Sequence, residues 1–139
     1  MKMSPRYDDF LRECFPWIEI NNNKFSGFRC NDGWFNLVRQ LLGDIDSAYK
    51  NVNRQCDIFI SFLGEKFGKL QVDYSHSDDT SLEDCWHSVE YFINEAAHES
   101  IYTCECCGKA GRFRKDLGYV QTLCDSCYEK AIEYQRMIK

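Results

Sequence analysis

Five cysteines crowd into CECCGKAGRFRKDLGYVQTLCDSC, residues 104–127. Thiols this close can pair as disulfides, cycle as a redox couple, or hold a metal. Their spacing favours the metal. Cys104 and Cys107 form one C-x2-C, Cys124 and Cys127 a second, and sixteen residues separate them, a spacing typical of structural zinc sites. Two cysteines three apart on a tight turn aim both sulfurs at one point. Two such turns together offer a tetrahedron of thiolates, which suits Zn²⁺. Gly108 can take the positive φ such a turn often needs. Cys106 is expected to point away, with a Cys104–Cys106 pairing as the alternative. Four protein ligands leave the metal no open position, so one zinc is expected here as a structural element and not as a catalyst.

The other two chemistries fit less well. The start MKMSPRYDDF has no apolar signal core, so a cytoplasmic location is expected, where disulfides are rare. Nine cysteines would also leave one unpaired. A thioredoxin-like site uses one C-x2-C beside a βαβ pattern, not two spaced pairs.

These ligands must be positioned by the elements around them. RFR and YVQTL read as the strands of a small hairpin turned at KDLG, giving a knuckle, a hairpin and a second knuckle: a zinc ribbon too small to fold without its metal. YEKAIEYQRMIK reads as a closing helix. Upstream, Ser4 and Pro5 open a helix carrying Tyr7, Phe10, Leu11, Cys14 and Phe15 on one face. Pro16 ends it, WIEI reads as a short strand, and FRCNDG as a returning one. Asn31 or Asp32 is expected to cap the helix of WFNLVRQLLGDIDSAYKNV, with Gly43 a possible break. CDIFISFLGEKFGKLQVDYS reads as a β-hairpin with Ile58, Ile60 and Phe62 facing Leu70, Val72 and Tyr74 across a Gly64–Gly68 loop. Phe59, Leu63 and Phe67 suggest a partly covered second face. Thr80 and Glu83 are expected to form a capping box for a helix over 82–99, whose stripe includes Cys85, Trp86, Val89 and Ile93. The expected fold is α+β: helices on a small antiparallel hairpin in a body of residues 1–100, with the ribbon and a short helix over 101–139 packed upon it.

The chain of 139 residues is 44% hydrophobic and 15% aromatic, enough for a core, and no stretch approaches a membrane span. Residues 1–100 hold 10 Lys/Arg and 17 Asp/Glu, a net of −7, and residues 101–139 hold 7 and 5, a net of +2. An acidic chain does not suit non-specific DNA binding.

The order of motifs resembles a group of small, mostly uncharacterised bacteriophage and prophage proteins. It runs Gly33-Trp34-Phe35, then Glu65-Lys66-Phe67-Gly68, an amphipathic helix, and CExCGKxGR…LCDxC, over roughly residues 25–130. The resemblance implies a cytoplasmic accessory protein of a mobile element and carries over no catalytic residue.

No enzyme is expected. There is no nucleophile–base pair and no phosphate-binding glycine loop, and a nuclease among Asp73, Asp78, Asp79 and Glu83 is the alternative. His76 is expected in a solvated loop, His87 in solvent and His98 at a helix end. Cys14 and Cys85 are expected to fill apolar faces. Two binding functions remain. The favoured one is a protein partner with a basic surface, met by acids such as Asp78, Asp79 and Glu83. By the resemblance, that partner would be a host enzyme or defence complex that the protein inhibits. The alternative is nucleic acid, held by Lys109, Arg112, Arg114 and Lys115 with Phe113 and Tyr119 interleaved. No membrane and no small-molecule substrate is expected.

Overall fold

The computed structural model describes residues 1–138. Among them are five helices and two small antiparallel two-stranded sheets, an α+β fold. Pro5 sits in the first turn of α1 (Pro5–Cys14), and Ser4 takes the cap position without a side-chain hydrogen bond. Pro16 ends α1 and begins α2 (Trp17–Asn21), so WIEI is helical and not the expected strand. Burial explains the difference. Trp17 and Ile18 are both buried while Ile20 is 77% exposed, a helical stripe and not a strand's alternation. The amides of Asn21 and Asn22 then donate to the carbonyls of Cys56, Ile58 and Ile60, fixing α2 along the next strand.

The expected second strand at FRCNDG reduces to one residue. Arg29 donates to Leu63 O at 2.8 Å and accepts from Glu65 N at 2.9 Å. Gly64 permits that approach, since a Cβ there would lie 2.5 Å from Arg29 O. Neither Asn31 nor Asp32 caps the following helix through its side chain; a 3₁₀ turn, Asp32–Trp34, precedes it. Asp32 Oδ1 instead accepts from Ser4 N at 2.8 Å. Helix α3 (Phe35–Lys50) runs unbroken through Gly43 and buries Leu37, Val38, Leu41, Leu42, Ile45 and Tyr49.

Strands β1 (Phe59–Lys66) and β2 (Lys69–Ser75) form the hairpin, with an irregularity between Ile60 and Phe62. That one-residue slip turns Leu63, not Phe62, into the core after Ile58 and Ile60. The connection is shorter than expected: Phe67 and Gly68 alone, both at positive φ (55° and 80°), and Gly64 lies within β1. Phe67 is 82% exposed, so it covers no second face.

The Thr80–Glu83 capping box does not form. Asp79 instead caps a 3₁₀ turn, Thr80–Leu82, by accepting from Ser81 N. Helix α4 (Glu83–Ser100) follows and packs on α3 and β2. Trp34 is fully buried, and Trp86, on the expected core stripe, is only half-buried. Cys85 is buried, whereas Cys14 is exposed and fills no core. Each large aliphatic side chain buried this way contributes about 1.5–3 kcal/mol. Strands β3 (Arg112–Arg114) and β4 (Gln121–Leu123) make the second hairpin, and α5 (Asp125–Met137) follows.

Candidate metal centre

Two knuckles bring four sulfurs together. In the first, Gly108 N donates to Cys104 O at 2.9 Å and Cys104 N to Lys109 O at 2.7 Å, with Gly108 at φ 81°. In the second, Cys124 caps α5, and its Sγ accepts from Cys127 N at 3.3 Å. The Sγ atoms of Cys104, Cys107, Cys124 and Cys127 all lie within 4.8 Å of one another. Cys107 and Cys124 are 3.6 Å apart, far beyond a disulfide bond of about 2.05 Å. Tetrahedral thiolates at about 2.3 Å from a zinc lie about 3.8 Å apart, so the cluster has the dimensions of a metal site. Cys104 is buried at the back of the site. Cys106 is exposed and stands outside the group, which leaves Cys104 and Cys107 as the first pair.

The first knuckle is docked into the body. Gly33 N donates to Glu105 O at 2.8 Å, and Trp34 Nε1 to Thr103 O at 2.8 Å. A Cβ on Gly33 would sit 2.3 Å from Glu105 O, so only glycine fits. Glu105 is fully buried. Its carboxylate accepts from Asn31 N at 3.0 Å and Gln121 Nε2 at 3.1 Å, linking body, knuckle and hairpin. Burial raises its pKa, and those two hydrogen bonds act against the rise. The ribbon hairpin docks at Gly68, whose carbonyl accepts from Thr122 Oγ1 at 2.7 Å. Glu65 Oε2 accepts from Gly68 N at 2.6 Å and holds that turn. The Gly33-Trp34 and Glu65-to-Gly68 motifs therefore both meet the ribbon, one at its first knuckle and one at its hairpin: they are the body's two grips on it.

The basic residues of the ribbon do not share one face. Strand alternation sends Arg112 and Arg114 one way and Phe113 the other. Arg114 Nη2 reaches Asp125 at 2.7 Å, Arg114 also donates to Leu123 O, and its guanidinium lies 4.3 Å over the Tyr128 ring. Arg112 approaches the same Asp125 at 3.7 Å. Arg114 is thus committed to holding α5. Lys109 and Lys115 stay exposed on separate segments. Of the acids, Asp79 pairs with Arg54 and accepts from Ser81, and these contacts lower its pKa; Asp78 and Glu83 are exposed.

His76 lies exposed in the loop after β2, as expected, and is also tied to the body. Its ring stacks on Trp86, centroids 3.6 Å apart. Beside it, Asp57 accepts from Tyr49 Oη at 2.5 Å, Trp86 Nε1 at 3.2 Å, and both Ser77 N and Oγ. This network pins the loop after β2. Its members come from α3, α4 and two loops, so no local stretch of the sequence announces it. His87 and His98 are exposed, and His98 lies edge-on to Tyr102.

Beside the sulfur cluster runs a groove of about 790 Å³, walled by Leu123, Cys127, Ala131, Tyr134 and Ile138 and carrying Lys130. No family model, no curated protein and no solved structure matches the chain. No helix among the described residues is long and apolar enough to cross a membrane.

Proposed function

We propose that this is a non-enzymatic accessory protein in which Cys104, Cys107, Cys124 and Cys127 hold one Zn²⁺ as a clamp, and which acts by binding another protein. The bound zinc would supply structure only, since four thiolates fill its coordination shell. The clamp closes the ribbon onto Gly33 and Gly68 and so sets the position of α5. The motif resemblance adds the mobile-element setting and, with it, a host enzyme or defence complex as the partner to be inhibited.

The observation that carries the binding reading is α5. None of its residues is buried, and Tyr134, Met137 and Ile138 stand 64%, 79% and 65% exposed. Ala131, Tyr134 and Ile138 follow a three–four spacing along the groove, the seam by which one helix receives another. Among the described residues, Lys130 is the one charged side chain in the groove wall, which suits a partner helix bearing a carboxylate at its edge.

Affinity purification from nuclease-treated host lysate tests the reading. The wild type is expected to retain a stoichiometric protein partner, and Tyr134→Arg with Ile138→Arg to lose it at unchanged zinc content. Equal capture by both forms, or capture that vanishes with nuclease, would contradict it. Reversing the exposed acids with Asp78→Lys and Glu83→Lys should slow association with that partner and leave dissociation nearly unchanged, because distant charge acts on encounter.

A further inference from the structure

Two turns far apart in sequence meet along one edge of the molecule. The β1–β2 turn presents Lys66, Phe67 and Lys69, all exposed. The β3–β4 hairpin brings Phe113, 39% exposed, and Lys115. Their meeting point is Gly68, where a Cβ would fall 2.8 Å from Phe113 Cε1 and 2.9 Å from Val120 Cγ1. Phe113 is therefore fixed one residue away from Phe67. Lys115 Nζ stands 5.9 Å from the Phe113 ring centre.

Phe67 is the anomaly. A two-residue turn with positive φ at both positions favours Asn-Gly, and a bulky side chain at positive φ is uncommon. Here a phenylalanine takes that position at φ 55° and leaves its ring in water. Neither the turn nor the core gains from it, and such outliers gather where a ligand is met.

The charges beside it are unspent. None of Lys66, Lys69 and Lys115 makes a salt bridge with a described residue. Lys66 Nζ lies 4.7 Å from the Phe62 ring centre. The nearby acids are engaged: Glu65 with Gly68 N, Asp116 with the Tyr128 hydroxyl, Asp125 with Arg112 and Arg114.

We propose that this edge binds single-stranded nucleic acid, with phosphates at Lys66, Lys69 and Lys115 and unpaired bases stacked on Phe67 and Phe113. Aromatic rings offered beside free cations are the means by which single strands are held without sequence readout. A duplex hides the base faces such rings need. The residues differ from those of the α5 groove, so the inference does not rest on the protein-binding reading.

Fluorescence anisotropy of the zinc-loaded protein with a labelled 20-nucleotide oligo-dT and the same length of unstructured RNA tests it. Three phosphate contacts at about 0.7 counterions each predict roughly twentyfold weaker binding when salt rises fourfold. Lys69→Gln with Lys115→Gln should reduce the log–log salt slope by about 1.4. Phe67→Asn should weaken binding about tenfold while its melting temperature holds or rises, because asparagine suits the turn. Binding absent at low salt, binding indifferent to Phe67→Asn, or equal binding of polyglutamate or of duplex DNA would overturn the proposal; the polyglutamate result would make the edge a site for acidic protein segments.

Discussion

Single atoms set the strongest constraints here. Gly33 is the tightest: replacing its hydrogen by a methyl group drives into the Glu105 carbonyl, and both are backbone. Gly33→Ala should cost about 1–3 kcal/mol or more, read by thermal denaturation, with faster hydrogen exchange in the first knuckle. Gly43→Ala, where the nearest foreign atom is Phe15 Cζ at 4.0 Å, should be tolerated. Asp57 makes a pH prediction. Burial alone would raise its pKa, but hydrogen bonds from Ser77, Tyr49 and Trp86 outweigh this and lower it. A depressed carboxyl pKa contributes stability above the unfolded value of about 3.9, and that stability is lost as pH falls through the folded value. The Trp86 indole N–H resonance should therefore hold its position down to about pH 4 and shift below it, and Asp57→Asn should abolish that pH dependence.

At the scale of elements, α5 is held through a few contacts to the ribbon. None of its residues is fully buried, but Tyr128, Ala131 and Ile132 pack on the Leu117 and Leu123 cluster, Arg114 reaches Asp125, Leu123 O and the Tyr128 ring, and Gln135 donates to Leu117 O. Arg114→Ala should speed hydrogen exchange through α5 several-fold while α4 stays protected, since the ion pair is surface-facing and worth about 1 kcal/mol or less. The sequence read by itself foretold α4, the two knuckles and the ribbon hairpin, because each announces itself within a few residues: periodic burial, C-x2-C, and strands bracketing a turn. It misread Trp17–Asn21 because alternation in WIEI looks like a strand until Asn21 and Asn22 are seen bonding to Cys56, Ile58 and Ile60. The slip beyond Ile60 was invisible for the same reason, since register is set by the partner strand. Residues 112–114 are neighbours in the chain but alternate across β3, so Phe113 parts from Arg112 and Arg114, which adjacency in the sequence hides. What holds the ribbon to the body, Gly33 to Glu105 and Gly68 to Thr122, spans long loops and could be seen in the sequence only as unexplained motifs.

The whole molecule is a body and a ribbon gripped at two glycines and closed by one cluster of sulfurs. Thr103, Glu105 and Thr122 all bond back to the body, so loss of the metal should loosen the surroundings of Trp34 and Gly68 as well as the ribbon. One zinc is proposed to sit among Cys104, Cys107, Cys124 and Cys127, with Cys106 outside. Elemental analysis of purified wild-type, Cys106→Ser and Cys124→Ser proteins tests it most directly. One zinc per chain in the first two and none in the third is the result expected; no zinc in the wild type, loss with Cys106→Ser, or retention with Cys124→Ser would contradict it.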